Sequence, residues 1–376
     1  MVSRKKSCDN KISLISFIKN LTDLRREQGK RHKLYVVVII AIMAIMNQYT
    51  SFRGFEIYAQ RNKTPLFKIF KLEKKRLPKK DTFREVFKKL DFEELDYIFK
   101  KYYECNNIST ENIWISIDGK SIRNTMPEHL TKCVSMISFF THDTKQVILQ
   151  GKVDSKNFET NLTKKHLDYF ENKKVIFTAD ALYTEKKMIS QIQKSNNYYV
   201  FPVKHNRPSL HKKVSFLAEK SISISTDKTI EKNRGRHETR EVKVFENDFN
   251  YELEELNWKH ITRIIRVERT IFFSKNNKTT NEVVYYISNL NLNAKQFNIG
   301  IRNHWSIENS LHWVKDSILN EDKSCVKGEK TASVFSIFRN LSLNIIRYAG
   351  FKSIINGIRI LMCDIKKMWK LLGGEN

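Results

Sequence analysis

The chain has 376 residues, 40% hydrophobic and 29% charged, which allows one large domain or two ordinary ones and excludes a disordered polypeptide. Five scattered cysteines with no CxxC pair exclude a zinc ribbon and a disulfide scaffold and point to a reducing compartment. The net charge of +27 points to a polyanionic partner, most simply nucleic acid, although a Lys- and Asn-rich proteome by itself raises such a count.

Residues 1–108 read as a small, basic, all-helical domain. The basic N-terminus is followed by no apolar region with a cleavage site, so no signal peptide is expected. Leu14, Phe17, Ile18 and Leu21 keep a helical period. The cluster containing Arg25, Arg26 and Arg31 then precedes Leu34–Met46, a continuous apolar run. A membrane span needs about twenty residues. The run is shorter than that, so we read a buried helix and a soluble protein with no membrane partner. A charged connector over Lys71–Lys80 contains Pro78, and amphipathic helices follow over Asp81–Leu90 and Asp91–Tyr103. Basic clusters on helical domains are often only solvated faces; with this net charge, Arg25, Arg26 and Arg31 are expected to contact DNA.

At Asn112 the pattern changes. Strands are expected at Ile113–Asp118, Cys133–Phe140 and Val147–Val153, a helix at Phe158–Phe170, a buried strand at Val175–Asp180, a helix at Thr184–Gln193 and a strand at Tyr198–Val203. Three strands, helix, strand, helix, strand is the order of a ribonuclease H-like domain. The predicted fold is therefore α/β: a ribonuclease H-like catalytic domain over residues 109–350, with a β-rich insertion at about 206–290. Within the insertion Ser221–Arg236 reads as loop, and short strands as Arg240–Val244, Ile261–Val267 and Val283–Ile287. Ile301–Asp316 reads as one uninterrupted helix with an apolar stripe of Ile307, Leu311, Val314 and Ile318. Ser333–Tyr348 is amphipathic, and residues 351–376 form a helical tail.

Three acids stand out. Asp118 and Asp180 each close an apolar strand, where an aliphatic residue is the ordinary choice. An Asp-Gly turn explains the first equally well, and a helix cap the second. Glu308 lies at the edge of an apolar, aromatic-flanked stripe, and a salt bridge to Lys315 or Arg302 is its bland explanation. In a ribonuclease H-like sheet, however, the two strand ends lie side by side, and a helix crossing them can deliver Glu308. Three carboxylates there make an oxygen site for Mg²⁺ or Mn²⁺, and two such ions suit phosphoryl transfer. His304 and His312 are eight residues apart, about 12 Å along a helix, too far to share one zinc ion.

The chain resembles the H-repeat-associated (ISAs1) family of DDE transposases, within the IS4-like group, over nearly its whole length. Arg31-His32 to Gly54-Phe55 and Pro78 to Arg84 resemble the family's N-terminal associated region. Ile117-Asp-Gly-Lys-Ser-Ile-Arg123 matches its first-aspartate motif and Thr178-Ala-Asp-Ala-Leu-Tyr-Thr184 its second. His304-Trp-Ser-Ile-Glu-Asn-Ser-Leu-His-Trp-Val314 with Glu321-Asp322 matches the third. Lys156 and Glu159 fall in a Lys-Ser-Asn-Glu block whose middle here reads Asn157-Phe158; Lys204-His-Asn206 and Gly235-Arg-His-Glu-Thr-Arg240 resemble further blocks. Two departures stand out: Cys325 replaces a usual Arg, and Lys315 a typical Leu. Lys315 thereby occupies the place where IS4-like transposases carry a DNA-contacting lysine.

The resemblance implies metal-dependent phosphodiester hydrolysis and strand transfer of the chain's own insertion sequence. Asp118, Asp180 and Glu308 would be the catalytic metal ligands for two Mg²⁺ (or Mn²⁺) ions, with Lys120, Arg302 and Lys315 neutralising phosphate. The partners would be double-stranded DNA, at the terminal inverted repeats and the target, and a second copy in an active homodimer. The location would be the cytoplasm, at the nucleoid. A nuclease without strand transfer and a decayed copy that only binds DNA are the alternatives. Removing residues 1–108 should leave a folded, metal-binding core that no longer prefers the element's ends.

Overall fold

The structure is a computed structural model that describes residues 13–72, 76–106, 111–123, 133–153, 159–233, 235–247, 253 and 255–374. The Lys156-Asn157-Phe158 part of the Lys-Ser-Asn-Glu block lies outside the described residues.

Among the described residues six α-helices come first: α1 (Leu14–Lys19), α2 (Leu34–Met46), α3 (Phe52–Arg61), α4 (Lys63–Phe70), α5 (Lys80–Lys89) and α6 (Phe92–Cys105). α2 is the expected buried helix: it is apolar all round, and every residue except Tyr35 is buried. Among the described residues no helix is long and apolar enough to cross a membrane.

The strands β1 (Trp114–Ile122), β2 (Val134–Thr141), β3 (Val147–Val153), β4 (Ile176–Ala179) and β5 (Tyr198–Val203) follow, in the spatial order β3-β2-β1-β4-β5. β1, β4 and β5 are parallel, while β2 is antiparallel to both neighbours. This is the ribonuclease H-like arrangement read from the sequence. α7 (Glu159–Leu167), α8 (Lys186–Lys194) and α9 (Pro208–Lys220) cover one face, where Leu167, Ile192 and Val214 meet Ile117, Phe177 and Phe201.

The insertion is more regular than its sequence indicates. It is a meander of β6 (Ser225–Asn233), β7 (Arg236–Glu246), β8 (Arg263–Phe273) and β9 (Lys278–Ser288). Its last strand pairs antiparallel with β5, so the molecule carries one nine-stranded sheet. The Ser221–Arg236 stretch, expected as loop, holds β6. That strand is polar because it is the sheet's edge, where charged side chains discourage pairing with another chain.

α10 (Ala294–His304) lies on the opposite face, with Ala294, Phe297 and Ile301 against Val200, Val242, Val244, Ile265 and Val267. Its approach to β1 is close. A Cβ on Gly300 would sit 2.2 Å from the Trp114 ring, so glycine is what lets the helix settle on the strand. A π-helical turn, Glu308–His312, and the short α11 (Trp313–Ser317) continue from it.

α12 (Glu329–Tyr348) departs most from its reading as an amphipathic helix: Thr331 through Ile346 are all buried. It runs between the N-terminal helices and the β2–β3 side of the sheet. Phe335 meets the rings of Phe52, Phe55 and Phe87 at 4.8–5.5 Å. Asn344 accepts from the Val147 N–H at 3.0 Å and donates to the Val147 carbonyl and the Tyr103 hydroxyl, both at 2.7 Å. The helix is buried on every side because partners surround it, and its polar residues are matched by bonds that a one-sided helix would not need. α13 (Ile354–Met362) and α14 (Ile365–Leu371) close the chain against its beginning, where the Ile15 N–H donates to the Leu372 carbonyl.

The N-terminal helices, α12 and the stripe Ile307, Leu311, Val314 and Ile318 thus share one hydrophobic core. This limits the expectation that residues 1–108 can be removed. Deletion strips α12 of its aromatic partners, so a chain of residues 109–376 should expose apolar surface and lose its cooperative unfolding transition. Phe335→Ala in the full chain should cost about 3–5 kcal/mol. Denaturant unfolding checks both; a truncated chain that unfolds as sharply as the full one would contradict the shared core.

Candidate active site

The first two acids are placed by strand register. β1 and β4 run parallel with Ile117 opposite Ala179, so Asp118 and Asp180 leave them at the same level, one strand spacing of about 4.8 Å apart. One detail corrects the sequence reading. Asp118 does not end its strand, because β1 goes on pairing with β2 as far as Ile122 opposite Val134. It is β4 that stops. Asp180 leads into a 3₁₀ turn, Ala181–Tyr183, without a side-chain capping bond, and it is exposed. The helix-cap explanation for it therefore fails. Asp118 accepts from the Gly119 N–H at 2.9 Å, but within a strand and not in a turn.

The third acid arrives on a widened helix. The stripe residues are buried as predicted, yet the segment is not one regular helix: the Trp313 N–H bonds to the Glu308 carbonyl, five residues back. No residue type announces such a π-turn, which recurs at functional sites. Its result is that His312 sits between two acids, with Nδ1 3.3 Å from Asp118 Oδ2 and 3.6 Å from Glu308 Oε2. One ligand atom each from Asp118, Glu308 and His312 can be chosen so that all lie within 4.8 Å of one another. Trp305 and Trp313, the aromatic residues flanking Glu308, are 58% and 56% exposed, and the Glu308 side chain is itself half exposed.

A fourth carboxylate comes from the first turn of α7. Glu159 accepts from the Tyr183 hydroxyl at 2.5 Å and lies directly over Gly119, where an added Cβ would be 2.4 Å from Glu159 Oε1. The glycine after Asp118 is explained by that approach. The sequence placed Glu159 in a family block without assigning it a role. Its spacing from Asp118 held no hint of contact, because β2 and β3 intervene.

Like charges crowd here. Burial, then Glu308, Asp180 and Glu159 push the Asp118 carboxyl up to about 8, against a smaller pull from the Gly119 N–H. Glu308 is held below its usual range, chiefly by His312. The metal-free site thus keeps a proton on Asp118 while Glu308 stays charged. Oxygen donors with one imidazole and no thiolate fit a hard divalent cation, and a cation would relieve the crowding.

Beneath the acids is a neutral hydrogen-bonded layer. Ser116 Oγ and His142 Nε2 are 2.8 Å apart, and His304 Nδ1 is 3.0 Å from Thr178 Oγ1. Burial pushes His142 down to about 3 and lowers His304 as well. His304 therefore faces this layer and stands outside the Asp118, Glu308 and His312 group, which is consistent with setting the shared-zinc reading aside.

Four of the six cations named from the sequence are engaged within the fold. Lys315 is 1% exposed, 3.2 Å from Glu321 and 2.8 Å from Ser336 Oγ, so burial keeps it from reaching phosphate outside the fold. Lys120, two residues after Asp118 on the same strand face, meets Asp316 at 2.7 Å, Asp322 at 3.1 Å and Glu321 at 3.5 Å. Glu321 is fully buried; burial would raise its carboxyl, but Lys315, Arg339 and Lys120 hold it at about 2. Together these groups bind the end of the Glu308 segment to β1. Arg302 is bidentate to Glu231 on β6. Arg25 is buried, with bonds to Asp23 at 2.7 and 2.8 Å and to the His32 carbonyl at 2.7 Å, whereas Arg26 and Arg31 are exposed. Of the six basic residues named from the sequence, Arg26 and Arg31 are the two that are exposed with no ion pair among the described residues.

The family described as "Transposase DDE domain" matches residues 113–345, and the one described as "DDE_Tnp_1-associated" matches residues 15–103. The chain belongs to the transposase DDE domain family. The transposase-named protein YncI of Escherichia coli O157:H7 is 29% identical over 364 residues, covering 92% of this chain and 90% of that one. The H repeat-associated protein YhhI of Escherichia coli K12 is 30% identical over 260 residues, 65% of this chain and 66% of its own. A solved piggyBac transposase synaptic complex with hairpin DNA aligns with a TM-score of 0.45 at 12% identity, over 96% of this chain and 78% of that one. Sequence reading had thus found the right family, and this transposase keeps an acid at each of the three motif positions.

The raised carboxyl makes a pH prediction with a definite sign. Asp118 ionises near 3.8 when unfolded and near 8 when folded, so its charge costs the metal-free native state stability that falls as pH rises through that window. Asp118→Asn should therefore raise the thermal midpoint of the metal-free transposase at pH 8 and leave it nearly unchanged at pH 4. A midpoint lowered equally at both values would contradict the crowding.

Proposed function

We propose that this DDE transposase cleaves DNA at the ends of its own insertion sequence and joins the freed 3′-hydroxyl to target DNA. The observation that carries this reading is the level placement of Asp118 and Asp180 on adjacent parallel strands, with Glu308 turned toward Asp118 from the helix crossing them. Asp118, flanked by Asp180 on one side and by Glu308 and His312 on the other, is the shared ligand of a divalent site suited to Mg²⁺ or Mn²⁺, with two ions as the expected number. Bound ions supply neutralisation of phosphate charge on the attacking and leaving sides. The chain's own contribution is positioning: a rigid sheet fixes two acids, the ion-paired Lys120, Lys315 and Glu321 fix the third, and His312 orients the Asp118 and Glu308 carboxylates.

Double-stranded DNA is the substrate in this reading, at terminal inverted repeats and at the target. The net charge of +27 favours it, and of the N-terminal cations named from the sequence Arg26 and Arg31 are the exposed ones. A second copy of the chain would complete the active complex, acting at the nucleoid in the cytoplasm.

Incubation with linear DNA carrying the element's flanks and Mg²⁺ tests the proposal. Both nicked ends and strand-transfer products are expected; nicking alone would favour a nuclease, and neither product a chain that only binds DNA. Glu308→Gln removes the ligand charge with little change in size. It should leave DNA binding nearly intact and slow cleavage a thousandfold or more, about 4 kcal/mol of barrier. Glu321→Gln instead leaves buried cations unpaired and should act through stability, lowering the folding free energy by about 3–5 kcal/mol. If Glu308→Gln cleaves like wild type, the assignment of the third acid is wrong.

A further inference from the structure

The arginines of the insertion sheet are ion-paired almost everywhere. Arg236 meets Glu238 at 2.5 Å, Arg269 meets Glu238 at 3.1 Å and Glu282 at 3.5 Å, and Arg266 meets Glu268 at 2.9 Å. Arg263 meets Glu246 at 2.8 Å and Lys243 meets Glu241 at 3.1 Å. Arg240 is the exception. It is 7% exposed and no carboxylate among the described residues pairs with it; its Nε, like that of the other arginines on these strands, is buried without a hydrogen-bond partner.

Its surroundings make that isolation more costly. On β7 it shares a face with Val242 and Val244, which form the floor under α10, and it emerges where that helix ends at His304. Directly across the strand pair stands Arg269, a second cation. Burial, Arg269 and Arg302 all weigh against its charge, and Tyr286 and Glu238 offset them only in part. A guanidinium does not escape by losing its proton. An uncompensated buried charge of this kind is strongly unfavourable unless an anion meets it.

The cleft that Arg240 lines indicates which anion. Its walls include Asp180, Lys204, Arg240, Arg269, Glu282 and His304. Lys204, just past the end of β5, is exposed there. The cleft thus sets the second aspartate beside three cations, and its other carboxylate, Glu282, is already met by Arg269 at 3.5 Å. We propose that Arg240, assisted by Lys204, is a phosphate clamp that takes a DNA backbone phosphate neighbouring the one held at Asp118, Asp180 and Glu308. The planar fork of the guanidinium suits two phosphate oxygens at once. Sequence reading placed Lys204 and Arg240 in two separate family blocks; the fold brings them to one cleft beside the second aspartate. The proposal rests on the transposase reading above and adds where the strand lies: across the β5–β9 junction, on the insertion side of the acids.

The test is fluorescence anisotropy of a generic 30-base-pair duplex with the full-length protein at several salt concentrations, together with the thermal midpoint of the free protein. Arg240→Gln should weaken binding about tenfold. It should also make the slope of log K against log salt shallower by about 0.9, one phosphate contact. The free variant should melt at the wild-type temperature or above it, because an unpaired buried charge has been removed. Arg240→Lys should restore the slope and recover only part of the affinity, since one ammonium does not replace the fork. Unchanged affinity and slope in Arg240→Gln, or a lowered midpoint, would overturn the clamp, a lowered midpoint marking the guanidinium as structural. If wild-type protein binds the duplex with no salt dependence, the DNA reading itself fails; a steep wild-type slope that Arg240→Gln leaves untouched sinks only the clamp.

Discussion

Asp118, Asp180 and Glu308 repel one another, and much of the molecule can be understood as what holds them together despite that. The repulsion is visible in Asp118, which keeps a proton to about pH 8 in the metal-free site. A flexible chain would relax it by moving the acids apart. Two of them cannot move, because the parallel pairing of β1 with β4 fixes their level. The third is fixed twice: by Gly300, which lets α10 lie against Trp114, and by the ion-paired group of Lys120, Lys315, Arg339, Asp316, Glu321 and Asp322 beyond it. That group balances three cations against three carboxylates. Leaving one of its buried charges without a partner would be costly, so the segment carrying Glu308 is held in one position.

The same constraint explains how much was legible in the sequence. The order of strands and helices was readable because a half-buried sheet and its covering helices leave strong periodicities. The three acids stood out because each sits among apolar neighbours, although a turn, a cap or a salt bridge could account for each one alone. What could not be read depended on contacts between distant segments. β6 looks like loop because an edge strand has no need to be apolar. The π-turn at Glu308 changes hydrogen bonding without changing residue types. Lys315 and Lys120 are cations in the right motif, yet whether such a side chain faces DNA or a buried Glu321 is decided by tertiary packing. Glu159 and Arg240 were visible as members of family blocks; only the fold brings the first over Gly119 and the second beside Asp180.

The N-terminal helices have a further part in this. α2, α3 and α5 share their core with α12 and with the apolar stripe beneath Glu308, so the basic region proposed to hold DNA and the helix carrying the third acid rest on common packing. Strain at one would be felt at the other, since a close-packed interior yields little. That offers a physical route by which DNA held at Arg26 and Arg31 can bear on the position of Glu308.

The central claim is that the acids converge to hold a divalent ion. The most direct measurement is anomalous diffraction from crystals of the full chain soaked in Mn²⁺. The account predicts a peak bounded by Asp118, Asp180 and Glu308, absent from crystals of Asp118→Asn. A peak at His304, or one beside Glu308 that survives Asp118→Asn, would contradict it.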